Sequence, residues 1–195
     1  MFKNFIKIFC LIILVSGCLK SMNKSIELNL SIDQDKEYFK IYTKYTKKFE
    51  LISNFETHAI IAITFLSSEF YQAFAKRYKH LYAAQEDLFQ GMSYDKVGFF
   101  VSVHSDNTNL RKLDDINLWN IFLEHNNEII NAQLIKPLLD KERWIPFFKD
   151  VNKWSREYLL VFDLKFSDNN NQQFILSEKF KLVLACSYGK IFVQY

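Results

Sequence analysis

Apolar and polar positions repeat with two different periods along this chain, and the switches between them outline its elements. Ile26, Leu28, Leu30 and Ile32 are separated by single polar residues, the period of a strand with one wet face. Over residues 36–52 the spacing of Tyr38, Tyr42, Tyr45 and Phe49 fits a helical stripe. Tyr45, Lys47, Phe49 and Leu51 equally suit a strand, so a helix followed by a strand is expected. Thr57 to Phe65 is apolar and rich in β-branched residues, as in a buried strand. The clearest helix spans 67–90. Ser67 or Ser68 caps it, Glu69 suits its positive end, Phe70, Phe74, Leu81 and Leu88 form one face with Tyr78 beside them, and Gly91 stops it.

Beyond Val97 the pattern becomes short strands and polar turns. Val97, Phe99, Val101 and Val103 alternate, then Asp106-Asn107-Thr108-Asn109 turns the chain. Leu118–Leu123 and Ile129–Leu138 flank a hairpin loop in which Asn126-Asn127 accept left-handed backbone. Pro137 and Pro146 restrict their stretches to strand ends or edges. Tyr158–Phe166, a polar turn at 167–172, Phe174–Ser187 and a last strand after Ser187-Tyr188-Gly189-Lys190 complete the chain. About seven strands at this spacing predict a mainly β fold, an immunoglobulin-like antiparallel sandwich, with one or two helices packed at one end.

One stretch belongs to none of these elements. Lys3 and Lys7 precede the apolar run Ile8–Val15, and Val15-Ser16-Gly17-Cys18 closes it. A membrane-spanning helix needs roughly 20 apolar residues, and Lys20, Ser21, Asn23 and Lys24 end this run too early. A basic start, a short apolar core and small residues at the end have the layout of a secretory signal. With a cysteine placed directly after them, the segment resembles the lipobox of bacterial lipoproteins. That resemblance implies cleavage between Gly17 and Cys18 and acylation of the Cys18 thiol, palmitate being a common chain. It also implies three parts: a signal peptide at 1–17, a lipidated tether at 18–25, and a single β-rich domain at 26–195. Leu19, rather than Asp, after the cysteine implies the outer membrane, with the domain facing the periplasm. At about 0.8 kcal/mol per buried methylene, two or three acyl chains anchor a protein durably. The order of pieces also resembles small envelope lipoproteins of unassigned function, in Thr64-Phe65-Leu66-Ser67, Trp154-Ser155 and Tyr158. That likeness brings no catalytic residue.

Charge and cysteine content narrow the functional classes. The net charge of +3 falls to about +1 once Lys3 and Lys7 are removed, and no Lys/Arg block forms a phosphate track, so nucleic acid is not an expected partner. Lys76, Arg77 and Lys79, the densest basic spot, read as the wet face of a helix. Cys10 leaves with the signal and Cys18 carries lipid, which leaves Cys186 unpaired even in an oxidising compartment. Stability must therefore come from packing, and 20 Phe, 10 Tyr and 3 Trp supply it.

No motif announces catalysis, a metal or a cofactor. His58, His80, His104 and His125 fall in separate elements and show no metal-ligand spacing. His104 with Asp106 is the best-placed pair, but two ligands are too few, and a surface turn accounts for them. Glu124-His125 reads the same way. Asp114-Asp115 and Asp168 to Asn171 lack the fixed pattern of a calcium loop. Cys186, beside Leu182, Val183, Leu184 and Ala185, reads as a packed strand residue rather than a nucleophile. The remaining candidate is a partner-binding patch, Trp144, Phe147, Phe148, Trp154 and Arg156, residue types that dominate interface hot spots. Its bland counterpart is a cap over one end of the core. Two function classes follow. The first is a non-enzymatic structural or protein-binding envelope lipoprotein, held at the membrane by lipid on Cys18 and facing an envelope protein. The second is an envelope hydrolase using a histidine with Cys186 or a carboxylate. A carrier of an apolar ligand is a third, suggested by the Phe content.

Overall fold

The computed structural model describes residues 32–84, 96–125, 128–164 and 180–195. The expected lipobox with Gly17 and Cys18, the expected tether, and all but the last residue of the strand expected over 26–32 lie outside the described residues. The chain divides into a unit Met1–Asp35 and a unit Lys36–Tyr195, and the account below concerns the second.

Helix α1 (Ile32–Tyr45) leads directly into β1 (Thr46–Ser53) and β2 (Glu56–Phe65), followed by α2 (Ser68–Tyr82) and β3 (Lys96–His104). Then come β4 (Asn120–His125), β5 (Glu128–Asn131), β6 (Leu134–Leu138), the single turn α3 (Lys141–Trp144), β7 (Ser155–Asp163), β8 (Lys181–Cys186) and β9 (Gly189–Gln194). All pairings are antiparallel, in a five-stranded sheet of order β1-β2-β3-β7-β6 and a four-stranded sheet of order β5-β4-β8-β9. With β2 to β9 taken as successive strands A, B, C, C′, D, E, F and G, the two sheets read A-B-E-D and C′-C-F-G. That is the immunoglobulin arrangement, with β1 added at one edge.

Strand alternation builds two cores on this frame. Ile61 and Ile63, Val97 to Val103 at odd positions, and Tyr158, Leu160 and Phe162 face inward. They meet Ile121, Leu123, Leu182, Leu184, Ile191 and Val193 of the other sheet. The opposite face of the five-stranded sheet is also covered. Phe100, Leu159 and Val161 pack under Tyr38 and Tyr42 of α1, Phe70 and Phe74 of α2, and the segment Trp144–Val151. The helices therefore form a third layer over that sheet, rather than a cap at one end as expected. A strand buried on both sides needs apolar residues at consecutive positions, which explains Ile60-Ile61-Ala62-Ile63 and Phe99-Phe100-Val101.

Other expectations need adjustment. Ile32 opens a helix instead of closing a strand. Helix α2 is capped by Ser67, whose Oγ accepts from Phe70 N at 3.1 Å, but it ends at Tyr82 on the left-handed Ala83 (φ 52°) instead of reaching residue 90. Leu88 and Gly91 lie outside the described residues, as do Asn126-Asn127 and the turn at 167–172. The stretch Ile129–Leu138 is two strands, with the chain crossing from one sheet to the other at Ala132-Gln133. Arg77 is not on the wet face of its helix. It is 9% exposed, donates from Nε to Pro146 O at 3.2 Å, and lies 4.9 Å from the ring centres of Tyr38 and Phe39. Burial lowers its pKa.

Candidate functional site

Three of the aromatic residues expected to meet a partner are instead structural. Trp144, Phe147 and Phe148 are 2%, 0% and 1% exposed. Phe148 stacks on Phe100 with centroids 3.5 Å apart and planes 5° apart, and Phe147 sits 4.6 Å from Phe74. Trp144 donates from its indole nitrogen to Leu139 O at 3.0 Å. These rings fill the outer core because α1 and α2 bring a wall of aromatics to meet them. Trp154, at 59% exposure, is the ring that remains in water, and Arg156 lies half-buried, 5.6 Å from the Tyr158 ring centre.

Trp154 belongs to a pocket of about 520 Å³ at one end of the five-stranded sheet, lined by His104, Ser105, Asp106, Arg111 and Trp154. The antiparallel register creates this grouping, because His104 at the end of β3 pairs with Ser155 at the start of β7. Local hydrogen bonds then shape both rims. Ser105 Oγ donates to His58 O at 2.5 Å and accepts from Asn107 N at 3.1 Å, so the chain turns out of the sheet and exposes Asp106. Opposite, Asn152 Oδ1 accepts from Trp154 N at 2.9 Å and Ser155 N at 3.2 Å, which fixes the indole at the rim. Arg111 bridges the two, donating from Nη1 to Trp154 O at 3.0 Å, while its own carbonyl accepts from the Tyr158 hydroxyl at 2.8 Å. The same hydroxyl lies 2.8 Å from Asp114 Oδ1. Burial and that carboxylate push the Tyr158 pKa well above its usual range.

His104 is half-buried, and its Nδ1 is enclosed with no hydrogen-bond partner among the described residues. Alternation puts it on the outer face of the sheet beside Ser102, Ser155 and Glu157, a polar row within an otherwise apolar surface. Glu157 is 1% exposed. It accepts from Ser155 Oγ at 2.5 Å and has Lys141 Nζ 4.0 Å away. Burial raises its pKa, opposed by the Ser155 hydroxyl and Lys141. Lys141 also donates to Lys153 O at 3.3 Å and to Ser155 O, tying α3 to the start of β7.

The other expected chemistry is dispersed. His58 is the extra residue of a bulge, since Leu51 pairs with Ala59 and Ile52 with Thr57. It sits 4.6 Å from the Tyr188 ring and 3.1 Å from Ser53 O. His80 is exposed on α2. Glu124 is held by Lys181 at 2.6 Å and Lys190 at 3.7 Å, which lower its pKa. Cys186 is free and half-buried at the end of β8, and among the described residues it makes no hydrogen bond to a histidine. No group of three or more His, Cys, Asp or Glu able to hold a metal occurs among the described residues, and no helix among them is long and apolar enough to cross a membrane. Arg111 and Ser105 were not foreseen as pocket residues. Nothing in the spacing of Arg111 signals its place, whereas His104 and Asp106 were visible as a strand-end pair.

No protein-family model matches the chain, and no curated protein or solved structure matches it either. Its function must therefore be read from its own residues.

Proposed function

We propose that this chain is an envelope lipoprotein in which lipid on Cys18 tethers a non-enzymatic binding domain, on the outer membrane and facing the periplasm. The observation that carries this reading is Val15-Ser16-Gly17-Cys18 at the close of a short apolar run with a basic start. Tethering raises effective concentration, so that contacts too weak to hold a free domain suffice.

The geometry favours one end of the domain as the binding end. Sheet register brings the β1–β2 turn, the end of β3 and the start of β7 to the same end of the sheet. Phe55 stands at that turn, fully exposed and with φ at 64°. Left-handed backbone under a non-glycine residue costs stability that this exposed ring does not recover by burial, and strain of this kind clusters at functional positions. Trp154 is exposed at the same end, with Lys153 Nζ 4.6 Å from its ring centre.

Crosslinking in intact cells tests the reading. The wild-type chain is expected to recover a specific envelope protein, with recovery falling several-fold when Phe55 and Trp154 are changed to Ala. Unchanged recovery from the double variant would remove this end as the binding surface.

A further inference from the structure

The pocket at the sheet end holds charged groups that do not satisfy one another. Arg111 spends Nη1 on Trp154 O and makes no ion pair among the described residues, which leaves Nε and Nη2 available. Asp106 is exposed at the same pocket and likewise makes no ion pair. His104 also lines the pocket, and the open indole of Trp154 forms its rim.

Each group selects for part of a ligand. A guanidinium with two free donors suits a planar oxyanion, above all a carboxylate. Asp106 only accepts when ionised, so the ligand must bring its own donors, and a second negative charge would be repelled. The indole adds apolar contact area at little cost in side-chain freedom. A volume of about 520 Å³ lies within the range of small-molecule sites. The hydrogen bonds holding Arg111 by its carbonyl and by Nη1 keep the cation in place before anything binds.

We infer that this pocket binds a small monocarboxylate carrying hydroxyl or ammonium donors: the carboxylate sits on Arg111, the donors on Asp106, and the ligand's apolar face on Trp154. A sugar acid and an amino acid share this chemistry. The inference deepens the binding-module reading by giving the binding end a ligand class. It is independent of the anchor, because it concerns the folded domain alone.

The test is titration of the full chain, purified in detergent, followed by Trp fluorescence and by the His104 ring signals in NMR. The probes are glucuronate, alanine, glucose, acetate and inorganic phosphate. Saturable binding of glucuronate or alanine is expected, with glucose, acetate and phosphate at least about tenfold weaker. Response to glucuronate assigns a sugar acid, and response to alanine an amino acid. Arg111→Lys, which keeps charge but loses the fork, and the exposed Asp106→Asn should each weaken binding about tenfold, with unfolding transitions unchanged. Absence of saturable binding by glucuronate and alanine would overturn the inference. So would phosphate binding as tightly as either, or affinity unaffected by both substitutions. Palmitate labelling of the same preparation reads the anchor separately.

Discussion

Glu157 illustrates how one residue can make the stability of the domain depend on pH. Its carboxyl is enclosed on the outer face of the sheet, and burial raises its pKa despite the Ser155 hydroxyl and Lys141. The folded protein therefore binds that proton more tightly than the unfolded chain does. The resulting stability is complete below the ordinary carboxylate range and is lost as pH rises through the raised folded value. Glu157→Gln keeps an acceptor for Ser155 and removes the charge. Thermal unfolding should show the variant at least as stable as wild type at pH 7, with that slope absent. A Tm several degrees lower at pH 7 would mean that the ion pair with Lys141 outweighs the cost of burial. A second contrast at this scale separates two aromatics seven positions apart. Phe147→Ala empties a fully enclosed site and should cost about 3–5 kcal/mol, whereas Trp154→Ala at the rim should stay within about 0.5 kcal/mol. Urea unfolding of both variants checks this. Composition foretold rings in that segment, but which of them turn inward depends on Phe70, Phe74 and Phe100, which come from distant parts of the chain.

At the scale of elements, the β1–β2 turn carries an identifiable strain. Asn54 and Phe55 both have positive φ, at 52° and 64°, the form of a two-residue hairpin turn that favours Asn-Gly. Replacing Phe55 by Gly should stabilise the domain by about 1 kcal/mol in denaturant unfolding, because the lost ring touches water alone. If the same variant loses its crosslinked partner, then stability has been given up there for binding. Elements were legible wherever their pattern was local. A helix giving way to a strand within 36–52, a serine cap at Ser67 or Ser68 and the alternation of β3 were visible from spacing, though the boundary at Tyr45 and the choice of Ser67 were not. The end of α2 was not. Tyr78 and Tyr82 already reach Phe147, at 5.7 and 6.2 Å, and the helix closes there on Ala83 without waiting for a glycine. The split of Ile129–Leu138 was equally hidden, since an apolar stretch does not record which of two sheets each half joins.

For the whole molecule, the antiparallel sandwich followed from strand count and turn spacing, and its sheet order reproduces the immunoglobulin arrangement. The third layer did not follow. The apolar run Thr57–Phe65 signalled a buried strand, but β3 read as alternating, and nothing in the spacing showed that α1, α2 and the Trp144–Val151 segment cover the outer face of the five-stranded sheet. The pocket is harder still to foresee, because His104, Arg111 and Trp154 meet only once β3 and β7 are in register. The proposed cellular placement rests on the local motif Val15-Ser16-Gly17-Cys18. In the chain's native host, radiolabelled palmitate followed by fractionation and mass analysis of the amino-terminal peptide tests it directly. The account predicts label on the wild-type protein in the membrane fraction, a chain beginning at an acylated Cys18, and an unlabelled, released product from Cys18→Ser. An unacylated wild-type chain, or one beginning at another residue, would contradict it.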